Sequence, residues 1–267
     1  MKVKEITIKH SYTDEFHLYC IGDIHGGTVH HVNSELLKTI KKVKDDPLAK
    51  WIDMGDKIEA ITPSDKRWDG GGIADWVSPD NIGVDQSNWY CDQITSIKDK
   101  CIGMLEGNHE DSIKRQSHID VHGNICKALN LDDLSYSCFI KFTFHRNRST
   151  TIHTLTGFFT HGAGGAITPG SKLQRLARLM DGFDADIVAQ GHVHDLLTYV
   201  KPYMTLNREN RVKQRVCAGA LTGCYFGTYT QDEASSYGER KNYPPTMIGS
   251  PVFIYNPETG NLRAENG

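Results

Sequence analysis

The sequence predicts an α/β fold, on two observations. Five apolar, strand-like runs end at a glycine or just before one, with a polar side chain at the tip, and the first two runs flank a stretch of helical periodicity. Residues 16–21 lead into Gly22-Asp23-Ile24-His25-Gly26-Gly27, and residues 51–54 into Gly55-Asp56-Lys57-Ile58-Glu59. Residues 101–105 precede Gly107-Asn108-His109-Glu110, residues 155–159 precede His161-Gly162, and residues 187–189 precede Gly191-His192-Val193-His194. Glycines let the chain turn sharply, and the carboxyl ends of strands are where open α/β sheets place their ligands.

The remaining elements follow in order. Ile6, Ile8 and His10 alternate with polar residues as an edge strand would. Leu36, Leu37, Ile40 and Val43 have helical spacing, with Asn33 or Ser34 as cap and Pro47 beyond the end, which makes a βαβ unit. Residues 58–89 lose all periodicity and read as a long insertion carrying Trp68, Trp76 and Trp89, either folded over the site or packed as a surface excursion. A helix over 86–97 returns the chain to the third motif strand. Asp111 is expected to cap a single helix to Ala128 with Ile113, Ile119 and Ile125 buried. Residues 135–144 and 150–159 pair as a hairpin, 170–180 form a helix, and 196–206 with 211–218 form a second hairpin. Residues 222–249 are rich in Tyr, Gly and Pro and either border the site or cover the sheet; a last strand follows at 251–255.

A chain of 267 residues can bury a substantial core, so one domain over 1–267 carrying these two excursions is expected. The formal charge of −3 marks no general polyanion binder. Seven cysteines without CxxC spacing favour reduced, packed thiols in an intracellular protein. No apolar leader and no run of about 20 apolar residues is present, so a cytoplasmic location is the expectation.

The ordered set Asp-x-His, Gly-Asp-x-x-Glu, Gly-Asn-His-Glu, His-Gly and Gly-His-x-His resembles the calcineurin-like metallophosphoesterase superfamily. It spans residues 22 to 194. The resemblance implies two mixed β-sheets packed as a sandwich flanked by helices, with metals at the strand ends. It also implies two divalent cations. One would take Asp23, His25 and His194, the other Asn108, His161 and His192, and Asp56 would bridge them. Carboxylate, imidazole and amide oxygen suit Mn²⁺, the favoured ion, as well as Fe²⁺ or Zn²⁺. Water between ions about 3.5–4 Å apart would act as the nucleophile, and His109 would protonate the leaving oxygen.

In the phosphoprotein phosphatases of this family an Asp steadies that histidine; Glu59 stands at the position here. Their following Arg is Ala60, which argues against a close protein-phosphatase relationship. Glu110 could serve only to cap the next helix, and Gly26 and Gly27 either turn the chain or face phosphate. His30, His31, His118, His122, His145 and His153 lack motif context.

The expected function is hydrolysis of phosphate monoesters or diesters. A nuclease is the alternative, resting on Lys201, Arg208, Arg211, Lys213 and Arg215 around the second hairpin and on Arg146 and Arg148 on the first. Such residues are more often a solvated face, so nucleic acid is not the favoured partner. From another class, a non-catalytic scaffold would be expected to lose ligands or the acid histidine, and none is lost here.

Overall fold

The computed structural model describes residues 1–207 and 209–267; Arg208, one of the basic hairpin residues, lies outside the described residues. The strands are β1 (Lys2–His10), β2 (Phe16–Ile21), β3 (Ala49–Asp53), β4 (Cys101–Met104), β5 (Ser137–Arg146), β6 (Ile152–Thr160), β7 (Ile187–Gln190), β8 (Leu196–Leu206), β9 (Val212–Thr222), β10 (Pro251–Asn256) and β11 (Asn261–Asn266). The helices are α1 (Asn33–Asp45), α2 (Ile82–Ile94), α3 (Asn108–Ser117), α4 (Val121–Leu129), α5 (Pro169–Gly182) and the single turn α6 (Tyr237–Arg240).

Two mixed sheets form, in the orders β1-β5-β6-β7-β9-β8 and β11-β10-β2-β3-β4. They pack face to face, the architecture that the resemblance implied. Alternation along each strand divides its side chains between two cores. From β2, Phe16, Leu18 and Cys20 join Phe142, Phe144, Phe159 and Ile187 of the other sheet in the layer between the sheets. Tyr19 and Ile21 point the other way, with Trp51, into a core built with α1 to α4. Val188 and Phe158 turn outward beneath Leu176 and Met180 of α5.

This arrangement brings the motif ends together. Strands β2, β3 and β4 are parallel, and β6, β7 and β9 are parallel. Every motif therefore follows the carboxyl end of a strand. Beyond β2 and β3 the loops stay in step, with Asp23 N–H donating to Gly55 O at 2.9 Å and Gly26 N–H to Lys57 O at 3.0 Å.

Several local expectations are corrected. The helix expected at 86–97 begins at Ile82, because Ile82, Gln86, Tyr90 and Ile94 form its buried stripe, and it passes into a 3₁₀ turn over Thr95–Lys100. The single helix to Ala128 is two. His118 adopts φ +58° and ends α3, Asp120 accepts from Gly123 N–H to start α4, and Ile119 between them is 43% exposed. Asp111 is not the cap; α3 begins at Asn108, because the Glu110 carboxylate takes the Gly107 N–H at 2.8 Å. Helix α1 starts after Val32 without a side-chain cap, and Leu37 is 47% exposed. Strand β11, whose alternation is weak, was not expected.

All seven cysteines are free thiols, five of them buried. Among the described residues no helix is long and apolar enough to cross a membrane.

Candidate metal centre

Asp23, His25, Asp56, His192 and His194 all have φ between +49° and +70°. Non-glycine residues avoid this left-handed region, and such strain persists where the surroundings over-determine it. At these five positions the chain accepts an unfavourable backbone, and in each case the side chain turns into one pocket.

That pocket holds two donor groups with no residue in common, Asp23, His25 and His194 in one and Asp56, His161 and His192 in the other, and a third, His25, Asp56 and His109, that links them; within each the donor atoms lie within 4.8 Å of one another. His25 Nε2 and His194 Nε2 are 2.9 Å apart, and Asp23 Oδ1 is 3.3 Å from His194 Nε2. On the other side Asn108 Oδ1 is 2.9 Å from His161 Nε2 and 2.6 Å from His192 Nδ1. Asp56 stands between the groups: its Oδ2 is 3.3 Å from His161 Nε2 and 4.0 Å from His25 Nε2.

The surroundings fix these donors. His161 Nδ1–H donates to Met54 O at 2.8 Å and His25 Nδ1–H to Glu59 Oε2 at 2.7 Å, so both rings keep Nε2 free for the pocket. Both Asp23 carboxylate oxygens accept the His192 N–H at 3.0 Å, and Asp56 Oδ1 accepts the His109 N–H at 2.9 Å.

Below lies a buried ionic support. Glu110 accepts from Asp56 N–H (3.1 Å) and Lys57 N–H (2.7 Å) as well as Gly107, so it ties the second motif loop to the third besides capping α3. Fully buried Lys57 and Asp53 pair at 3.0 Å, and Tyr90 O–H donates to Asp53 at 2.5 Å. A fully buried charge is tolerated only when paired and hydrogen-bonded in this way.

The charges respond to one another. Burial works against ionising Asp23, Asp56 and Glu59, yet neighbouring imidazoles outweigh it and lower all three carboxyls. Burial also opposes charge on His161, but Asp56 outweighs it and lifts the imidazole to about 9. At His109 burial again opposes charge while Asp56 and Glu59 raise the value; at His192 burial and His161 lower it. Anionic oxygens and imidazole lone pairs crowded into one pocket suit a borderline divalent cation, and no thiolate takes part.

The motif residues Asp23, His25, Asp56, Glu59, Asn108, His109, His161, His192 and His194 all lie in or against this pocket. His109 donates from Nδ1 to the Glu59 backbone carbonyl at 2.5 Å; the Glu59 carboxylate, 3.9 Å from that nitrogen, is engaged instead with His25. Two further residues carry no sequence signal. Arg67, held by Asp65 through contacts of 3.1 and 2.8 Å, places Nη1 3.1 Å from His109 Nε2. Phe226 packs edge-on against His25, with ring centroids 5.4 Å apart, and against His194 at 5.9 Å.

A cleft of about 610 Å³ opens above, walled by Lys66, Arg67 and Trp68 from one long excursion and by Phe226, Tyr237 and Arg240 from the other. Arg240 and Asp69 pair across it at 2.5 Å. The basic hairpins are elsewhere. Arg146 ends β5 and Arg211 precedes β9, at the ends of these strands opposite the metal-competent side chains, while Lys201 pairs with Asp181 and Arg215 with Asp186.

No family model and no curated protein matches the sequence. Solved structures align with it at low identity. The zinc-complexed Vps29 of Entamoeba histolytica is 12% identical, with 94% of this chain and 98% of that one covered at a TM-score of 0.37. A metallophosphoesterase from Sphaerobacter thermophilus is 11% identical, with coverage of 94% and 88% and a TM-score of 0.39. The NAD nucleotidase of Haemophilus influenzae is 11% identical, with coverage of 95% of this chain but 49% of that one, at a TM-score of 0.41.

Proposed function

We propose that the protein is a phosphoester hydrolase working with two divalent cations, Mn²⁺ foremost. Asp23, His25 and His194 would hold one, Asn108, His161 and His192 the other, and Asp56 both. The observation that carries this reading is the position of Asp56 Oδ2, within 4.0 Å of an imidazole nitrogen from each donor group. When bound, such a pair supplies positive charge against phosphate oxygens and acidifies water.

The chain's own groups perform the rest. His109, with Nδ1–H committed to the Glu59 carbonyl, faces the cleft with Nε2, which accepts from Arg67 Nη1 in this structure; once that guanidinium turns to a phosphate oxygen, a protonated Nε2 can hand its proton to a leaving oxygen. Arg67 is placed to take a phosphate oxygen in the same region, since a guanidinium matches that geometry. The cleft volume and the Asp69–Arg240 pair across it support a small ester rather than a polymer.

The test is turnover of bis-p-nitrophenyl phosphate and p-nitrophenyl phosphate by folded, manganese-loaded protein. Turnover is expected, and His109→Ala should reduce it by about 10²–10⁴ as for loss of a general acid. No hydrolysis of either ester by metal-loaded protein would favour a binding scaffold on the same fold.

A further inference from the structure

A second cavity of about 930 Å³ lies between α5 and the outer face of the six-stranded sheet, with Phe158 and Phe183 in its lining. It is a neighbour of the metal centre. Residues 165–167 line both cavities, so the two share a wall. Thr160 and Gly162, either side of His161, and Gln190, two residues before His192, also line it.

Its polar lining is cationic, amide or hydroxyl, with no acid among the lining residues. Arg175 and Arg178 both line it, and the acids on neighbouring elements are engaged elsewhere: Asp181 with Lys201, Asp186 with Arg215 and Asp195 with Lys172. Neither arginine has an ion-pair partner among the described residues. The 14-residue helix α5 begins at the cavity with Thr168 as its cap, adding the positive end of its dipole.

Gln190 gives an independent sign. It is 1% exposed, and its Oε1 has no hydrogen-bond partner. Buried polar side chains are nearly always paired, and a primary amide can present either its oxygen or its NH₂ at this point. Two unpaired guanidinium groups, a helix N-terminus and an unsatisfied amide define a site for a phosphate-class anion.

We infer that this cavity binds a second phosphate group carried by the ester whose phosphorus is attacked at the metal centre. The inference rests on the hydrolase reading and narrows its substrate to esters bearing two separated phosphates. The shared wall favours this over an unconnected effector site, because one small molecule that reaches over residues 165–167 meets both cavities.

The experiment compares two chromogenic diesters, thymidine 5′-(p-nitrophenyl phosphate) and its 3′-phosphorylated form, with manganese-loaded protein. The 3′-phosphorylated ester should have a KM lower by about tenfold or more, the scale of one charge-assisted contact. Arg175→Ala/Arg178→Ala should abolish that preference and leave the unphosphorylated ester unchanged; Arg175→Lys/Arg178→Lys should retain part of it. Equal KM values in the wild type, or a preference that survives the alanine pair, overturns the inference. Should neither ester be cleaved, the hydrolase reading fails separately. Calorimetric titration of the full chain with inorganic phosphate then reads the cavity alone: saturable binding lost in the alanine pair keeps an anion site, and its absence removes it.

Discussion

Glu59 accepts the Nδ1–H of His25 at 2.7 Å through its carboxylate, while its own backbone carbonyl accepts the Nδ1–H of His109. The carboxylate thus orients a metal-competent imidazole, and the main chain of the same residue orients the candidate acid. Removal of such an outer partner costs about 10–100-fold in metal affinity. Glu59→Ala should therefore weaken Mn²⁺ binding by that factor and leave the His109 contribution in place at saturating metal. Unchanged affinity by calorimetry would contradict the assignment of Glu59 to His25.

Arg67 reaches His109 from a segment with no recognisable pattern, and Asp65 holds it from the side away from the cleft. The arginine of the phosphoprotein phosphatases would sit at Ala60, which is buried and has φ +50°. If Arg67 contacts phosphate in its stead, Arg67→Ala should lower kcat/KM by about 10–100-fold, the worth of a charge-assisted hydrogen bond. Arg67→Lys should recover only part, since ammonium cannot reproduce the planar fork. Steady-state kinetics within twofold of wild type would exclude the role.

Gly107 has no room for a side chain. A Cβ there would meet Asp56 N at 2.1 Å and Asp56 Oδ1 at 2.2 Å, and the main-chain nitrogen cannot move aside. Gly107→Ala should displace Asp56 while the distant cores persist. The expected result is a folded protein by circular dichroism that has lost at least one bound Mn²⁺; full metal stoichiometry would show the loop to be more yielding than it looks.

Much of this was legible because the motifs combine two local signals, an apolar run and a breaker with a metal-competent residue at its tip. The left-handed backbone at Asp23, His25, Asp56, His192 and His194 was not, since only glycine announces such a conformation in sequence. Arg67, Lys66 and Arg240 were invisible for another reason: their positions depend on how two aperiodic segments meet, through pairs such as Asp69–Arg240. The break at His118 was missed because Ile113, Ile119 and Ile125 were expected to be buried in one helix, whereas Ile119 lies between two helices and faces solvent. The direction of the Glu59 carboxylate, toward His25 rather than His109, likewise depends on rotamer and packing, which spacing does not encode.

Asp133 gives a pH dependence away from the metals. Burial opposes its ionisation, but Ser135 N–H at 2.6 Å, Lys2 at 3.0 Å and His122 at 3.1 Å outweigh this and lower its carboxyl to about 2. A depressed carboxyl stabilises the folded state above its unfolded value near 3.9, and that contribution disappears as pH falls through about 2. Asp133→Asn should thus be less stable than wild type at pH 7, with the two converging near pH 2. A gap in denaturation midpoint that stays constant from pH 7 to pH 2 would assign the effect to packing.

Asp23 and Asp56 are buried with imidazoles as their charged neighbours and no Lys or Arg ion pair among the described residues. Carboxylates so placed repel each other through a low-dielectric pocket, and three of the five loops that carry the donors have strained backbones, at Asp23 and His25, at Asp56, and at His192 and His194. Cations that bind only the assembled pocket should stabilise the fold by mass action, about 2.7 kcal/mol per site at a hundredfold excess over Kd. For a chain of this size that corresponds to roughly 5 °C in Tm per site, or about 10 °C for two. Thermal unfolding in Mn²⁺ should exceed that in chelator by this margin, and Asp56→Asn, which keeps the shape but removes the shared charge, should lose most of the difference. Equal Tm values with and without Mn²⁺ in the wild type would mean that the pocket holds no cation, and the proposed chemistry would lose its basis.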